Sequence, residues 1–307
     1  MAAVLNTNAA SLYASKNLQA AQSKMADSVE RLSSGLRINR AKDDAAGLGI
    51  ANALTQQING ANQGVRNLND GISMVQTAEG AIAAAQEMAQ RIVTLATQGS
   101  TGTLGASDRN AIRAEVRQLL IAIDGISTRT KYSGTSLLDQ TLLGTTAKTL
   151  QVSNNTADTI TLAAGAFRNI GIGTSTSTGT ILLGDADWST GQASALANVV
   201  NGLTDPTPAT DETQAQQLLV LAAAKTYIEN LSTQRSLLGA YQNQIEFTLS
   251  NVTELSSNLS AARSNVQDTD YASETASLTK GQILQQAATA MLAQANQMPN
   301  VILSLLK

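Results

Sequence analysis

Apolar residues at alternating steps of four and three dominate the first third of the chain. Leu54, Ile58, Ala61, Val65, Leu68, Ile72 and Val75 keep this spacing. After a shift of a few residues, Ile82, Ala85, Ala89, Ile92 and Ala96 continue it. Side chains so placed share one face of an α-helix. The pattern predicts one helix from about residue 43 to 98, roughly 80 Å long at 1.5 Å per residue. A rod of that length must bury its stripe against other long helices, a demand few compact globular domains meet.

The rest of the chain supplies such helices. Residues 100–107 read as a Gly/Thr/Ser turn, and Asp108 starts a second helix with Ile112, Val116, Leu119, Ile123 and Ile126 on one face. From about 212 to 264 the spacing returns in Leu221, Ala224, Ile228, Leu231, Leu238, Ile245, Leu249, Val252, Leu255 and Leu259. Between these helices, about 141–173 alternates at Leu150 and Val152 and again at Ile160 and Leu162, around Asn154–Asn155, which predicts a β-hairpin. Residues 174–212 are rich in Ser, Thr and Gly and hold two of the three prolines; they read as a short, variable, surface-exposed insert. The fold class is mainly α, a long-helix bundle or coiled coil with a small β-hairpin region.

Both ends carry a further seam. Leu18, Met25, Val29, Leu32 and Leu36 lie on one face at the N-terminus. At the C-terminus Leu284, Ala288, Met291, Ala295, Met298, Ile302 and Leu305 step by four and three, with Pro299 marking a bend or frayed turn. Neither segment has a partner nearby in sequence, and a lone helix with an exposed seam is marginal. The two ends are therefore expected to pair with each other and with other copies of the chain.

Composition narrows the function. Of 307 residues, 43% are hydrophobic but only 3% aromatic, and only three are proline, which suits long helices packed through small side chains. There is no Cys and no His, which removes disulfides, thiol chemistry, the commonest acid–base residue and most zinc sites. No enzyme, cofactor or metal is expected. The pairs Asp43–Asp44 and Asp268 with Asp270 read as helix caps and ion-pair partners rather than a metal site. The net charge of −3 gives no field for nucleic acid, and no apolar run is long enough to insert in a membrane. The first residues lack the charged and apolar regions of a cleaved signal.

Several motifs, in order, resemble bacterial flagellin. They are NTNAASLYASKNLQAAQSKMADSVERLSSGLRINRAKDDAAGLGIA at the N-terminus, NLNDGISMVQTAEGAI, DRNAIRAEVRQLL, YSGTSLL, RSLLGAYQNQIE, LSAARSNVQDTDYASE and the closing QILQQAATAMLAQANQMPNVILSLLK. The resemblance implies a terminal coiled-coil inner domain (1–42 with 265–307), a helical rod domain (43–173 with 213–264) and a minimal outer insert. It implies a subunit that self-assembles into an extracellular filament for motility and leaves the cell by type III export without a cleaved signal. The implied partners are other copies, the flagellar cap and hook-junction proteins, and an export chaperone on the C-terminal segment.

In the family, the stretch matching 33–46 links inner and rod domains. Ser33, Ser34 and Gly35 weaken the helix there, and Arg37, Arg40, Lys42, Asp43 and Asp44 are expected to form inter-subunit ion pairs, with Asp43 or Asp44 capping the next helix. For flagellins seen by Toll-like receptor 5, the contact surface matches Gln90, Arg91, Leu95 and Glu115. Ala89 and Thr94 stand where the family often has Leu and Glu, so recognition is expected to be poor. Two other readings compete with the filament subunit. One is a hook–filament junction protein; the other is a flagellin-like surface protein whose Trp188 stacks on a polysaccharide.

Overall fold

A computed structural model describes residues 8–138, 147–163, 166, 167, 170, 173, 174, 181, 182 and 214–305, with 298–305 and the two short strands after 170 given as backbone. Five helices carry the described chain: α1 (Ala9–Ser34), α2 (Ala45–Gly99), α3 (Ala106–Arg129), α4 (Gln214–Gln267) and α5 (Tyr271–Leu305). Three two-stranded antiparallel ladders lie between α3 and α4: β1 (Lys131–Tyr132) with β2 (Thr135–Ser136), β3 (Lys148–Gln151) with β4 (Thr159–Leu162), and β5 (Gly173–Thr174) with β6 (Ile181–Leu182). The chain forms two compact units, one of residues 1–59 with 256–307 and the other of 60–255. These units divide inside α2 and α4, whereas the expected boundaries stood at 42/43 and 264/265, beside the helix breaks.

In the second unit the heptad stripe of α2 is the core. Leu68, Val75, Ile82, Ala85, Ala89, Ile92 and Ala96 are all buried. They meet Ile112, Val116, Leu120 and Ile123 of α3, and Val220, Ala224, Leu231, Leu238, Ile245 and Val252 of α4. Each large apolar side chain removed from water contributes about 1.5–3 kcal/mol, so the stripe itself holds the helices in register. The α4 stripe also includes Gln217, Tyr227 and Gln234, three buried residues that an apolar template passes over, while Leu255 is exposed. Asp108 stands one turn inside α3, where its carboxylate accepts the Gly105 N–H at 3.3 Å, rather than at the helix start.

The hairpin lies directly on α2. Leu150 pairs with Ile160 across β3 and β4, with the turn at residues 152–158. A Cβ on Gly64 would stand 1.6 Å from the Val152 carbonyl oxygen, and one on Gly71 would stand 2.4 Å from Leu150 Cδ1. Backbone therefore meets backbone here, which only a residue without a side chain permits. Asn67 fixes the register by donating its side-chain N–H to the Gln151 carbonyl at 2.9 Å. Two tyrosines of α4 hold the segment that follows. Tyr241 Oη accepts the Ala163 N–H at 3.1 Å, and buried Tyr227 donates to the Ile170 carbonyl at 2.8 Å. Burial holds the Tyr227 hydroxyl protonated, raising its pKa, and Asp124 adds to the shift.

The YSGTSLL motif forms the tight turn of β1 and β2, with positive φ at Ser133 (50°) and Gly134 (80°). It delivers Leu137 and Leu138 into the core. Ser127 Oγ donates to the Leu138 carbonyl, tying this turn to α3.

Gly64→Val is expected to lift the hairpin from α2 and lower stability by about 1–3 kcal/mol. Gly80→Ala, where an added Cβ meets nothing within 4 Å, should raise it by about 0.5–1 kcal/mol. Thermal unfolding of the two variants beside the parent measures both.

Candidate functional site

The site is the pair formed by α1 and α5, with the two linkers that close it. Ala14, Ala21 and Ser28 are buried on α1, with Leu18, Met25 and Leu32 half-buried between them. On α5, Gly281 and Ala295 are buried, and Leu278, Gln285, Ala288 and Leu292 are half-buried. Both series step by four and three, and every seventh position is small, so the helices approach closely. At the far end Asn8 Nδ2 donates to the Ala295 carbonyl at 2.7 Å and Ser11 Oγ to Asn296 Oδ1 at 3.1 Å. Near the linkers Arg31 lies 3.7 Å from Glu274.

This seam differs from the sequence reading. Leu18, Met25, Leu32, Ala288 and Ala295 belong to it, but Val29, Leu284 and Met291 are 50%, 46% and 65% exposed. The reason is that α5 carries two adjacent apolar stripes. The pairing within the chain takes the one punctuated by Gly281, Ala288 and Ala295, because small residues let the backbones come together. The larger side chains are left outward. Tyr13, Leu284 and Met291 flank an alanine-lined groove of about 630 Å³ along one side of the pair. The backbone of α5 is helical through Pro299; the side chains of Met298, Ile302 and Leu305 lie outside the described residues.

The linker, weak in helix propensity, is nonetheless fully engaged. Gly35 ends α1 in the left-handed conformation (φ 72°), and its N–H reaches the Arg31 carbonyl at 2.8 Å. Ser33 and Ser34 form the last turn before it. Leu36 then makes an antiparallel bridge with Asp268. Arg37 donates its backbone N–H to the Gln267 carbonyl at 2.7 Å, and Thr269 donates to the Gly35 carbonyl at 3.0 Å. Ile38 is 1% exposed, and its Cδ1 would stand 2.6 Å from a Cβ on Gly47.

The linker charges are used within the chain. Arg37 donates to the Val266 carbonyl, and Arg40 pairs with Glu30 at 2.8 Å, where Asn39 also donates. Asp44 caps α2 by accepting the Gly47 N–H at 2.9 Å. Asp43 instead closes the turn before it, accepting the N–H of Arg40 at 2.9 Å and of Asn39 at 3.3 Å. The Arg40 N–H is the main cause holding the Asp43 carboxyl below its ordinary value, with the Asn39 N–H and the charges of exposed Lys42 and Arg31 adding to it. Gln267, Asn39 and Glu30 were not singled out from the sequence. Uncharged or single polar residues beside a glycine carry no pattern that marks a cross-chain bridge.

On the second unit, Arg91 and Glu115 form an exposed ion pair at 2.7 Å, with Gln90 exposed beside them. Leu95 is 3% exposed and packs in the core, so the expected receptor surface is corrected by its removal. Trp188 lies outside the described residues, as does most of the insert. Among the described residues no cluster of three or more His, Cys, Asp and Glu could hold a metal ion, and no helix is long and apolar enough to cross a membrane.

Residues 5–142 match the bacterial flagellin N-terminal helical region, and 221–306 match the bacterial flagellin C-terminal helical region. A flagellin of Bacillus subtilis (strain 168) is 40% identical over 314 residues, covering 99% of each chain. A flagellin of Xenorhabdus nematophila is 39% identical over 327 residues, covering 100% of each. A solved structure of a putative flagellar hook-associated protein from Vibrio parahaemolyticus superposes with a TM-score of 0.54 at 12% identity, covering 74% of this chain and 100% of that one, which is a likeness of fold. With both helical ends matched and relatives aligned over the full length, the chain belongs to the bacterial flagellin family and is a structural subunit of the flagellar filament.

Proposed function

We propose that the subunit polymerises through the outward stripe of its terminal helix pair. The observation that carries this reading is the exposure of Val29, Leu284 and Met291 beside a seam already filled by other residues of the pair. Large apolar side chains left in water on a helix pair favour a further helix, and a head-to-tail contact that does not close on itself gives an open filament. Leu18, Met25, Leu32, Ala288 and Ala295 hold the pair; Val29, Leu284 and Met291 face the next copy. The pair is marginal in the free chain and ordered as the subunit adds, which couples folding to growth.

Residues 33–44 act in this reading as the joint between the terminal pair and the rod, closed by the intrachain bridges to 266–269. The filament is extracellular, and the subunit reaches it by type III export without a cleaved signal. The flagellar cap, the hook-junction proteins and an export chaperone on the C-terminal segment are its further partners. The absence of His and Cys and the family's structural role support a non-catalytic protein.

Electron microscopy of seeded protein tests the assembly reading. The full chain should grow long filaments. Leu284→Asp and Met291→Asp should leave the rod folded by circular dichroism and stop elongation. Filaments of parental length from both variants would refute the outward-stripe assignment.

Gly35→Ala places a Cβ at positive φ and 3.0 Å from Tyr271 Oη, so it should cost about 1 kcal/mol and alter filament shape before it alters yield. The Asp43 turn has a pH dependence of known sign. Its folded-state carboxyl titrates below the ordinary 3.8, so its stabilisation is present above that pH and is lost as pH falls through the lower folded value. Amide exchange at Asn39 and Arg40 should rise in that acid window, and Asp43→Asn should remove the dependence.

A further inference from the structure

The groove along the terminal pair changes character toward the linkers. Past Ala21, Lys24 and Leu284 it becomes a polar cleft of about 360 Å³ between α1 and α5. Lys24, Ser28 and Arg31 enter it from α1; Ser277 and Lys280 enter it from α5. Ser28 is only 5% exposed and makes no hydrogen bond within the described residues, although a serine inside a helix ordinarily donates to the carbonyl one turn back. Ser277, Lys24 and Lys280, all three exposed, make no hydrogen bond or ion pair among the described residues, and Arg31 meets Glu274 only at 3.7 Å.

The imbalance is one of hydrogen-bond type. Two hydroxyls, two ammonium groups and one guanidinium converge as donors. The acceptors at the same cleft are Asp27 and Glu274, so three cations face two carboxylates. The Ser28 hydroxyl opens onto the cleft, and a hydroxyl beside cations in excess is matched by a group that accepts hydrogen bonds and carries negative charge. Neither a metal ion nor an apolar side chain meets that need.

We propose that this cleft binds an oxyanion, a phosphate-like ion or a carboxylate, bridging Lys24 and Ser28 of α1 to Lys280 of α5. Because the ligand is held by both helices, its binding tightens their pairing. The inference concerns the α1–α5 pair itself and does not require that the outward stripe drive polymerisation.

Inorganic phosphate is the probe, titrated at pH 7 and constant ionic strength and followed by 31P line width. It is added to the full chain, first as polymer pelleted from seeded growth, and to the soluble chain should no polymer form. Microscopy of the same sample reports filament formation separately from binding. The expected result is saturation near one phosphate per chain, weakened about fivefold or more in Lys280→Gln and Ser28→Ala. Lys225→Gln, on the rod helix α4, should be unchanged. Amide protection across residues 14–32 should rise with phosphate in the parent and not in Lys280→Gln. Free glutamate competing with phosphate would identify a carboxylate as an equal ligand, and its failure would restrict the site to phosphate-like ions. Non-saturating binding, or binding equal in parent, Lys280→Gln and Ser28→Ala, overturns the proposal. Circular dichroism of both variants establishes that the helices are retained.

Discussion

The interaction on which the rest depends is the burial of one narrow apolar stripe per helix, repeated every three and four residues. A stripe of that width leaves most of each helix in water. The helices cannot be stabilised by length or propensity alone, and each must find a partner whose stripe runs in the same register. In the second unit α2 finds two, α3 and α4, and the hairpin covers part of what remains. In the first unit, among the described residues, α1 packs against α5. That difference in partner number separates the multiple packing of the second unit from the single pairing of the first.

Much of this was legible in residue spacing. The stripe from Ile82 to Ala96 is buried at each position read from the sequence, and the hairpin stands where the alternation announced it, with Leu150 paired to Ile160, Leu162 paired to Lys148 and Val152 in the turn. The errors share one cause. Periodicity locates apolar residues, but it cannot say which of two adjacent stripes a partner will choose. On α5 the choice fell on the stripe that holds Gly281, and Gln285 and Leu292 took the places that Leu284 and Met291 had been expected to fill. On α4 the same blindness hid Gln217, Gln234 and Tyr227, whose polar atoms make them look like surface.

The linker was legible in composition and not in geometry. Glycine and serine at 33–35 announced a break in the helix, and the charges that follow suggested partners elsewhere. Whether such a break is slack or clamped depends on backbone groups, which are identical in every residue and leave no trace in sequence. Here the carbonyls and N–H groups of 35–38 meet those of 267–269. The arginines, which a sequence reader assigns to neighbours, are absorbed by Glu30 and the Val266 carbonyl. The glycines at 64 and 71 are a similar case, since their purpose appears only when a strand is found lying on them.

The bridge between Leu36 and Asp268, like the bond from Asn8 to the Ala295 carbonyl, joins positions more than two hundred residues apart in sequence. Contacts of such separation carry the largest loop-closure cost and form late in folding. The first helix of the chain therefore waits for the last. Until residues beyond 266 have arrived, α1 has neither its seam nor the bridge at Leu36 that follows its cap. A chain threaded from either end would keep that segment unpaired throughout its passage, and the clasp would report that the whole length had come through.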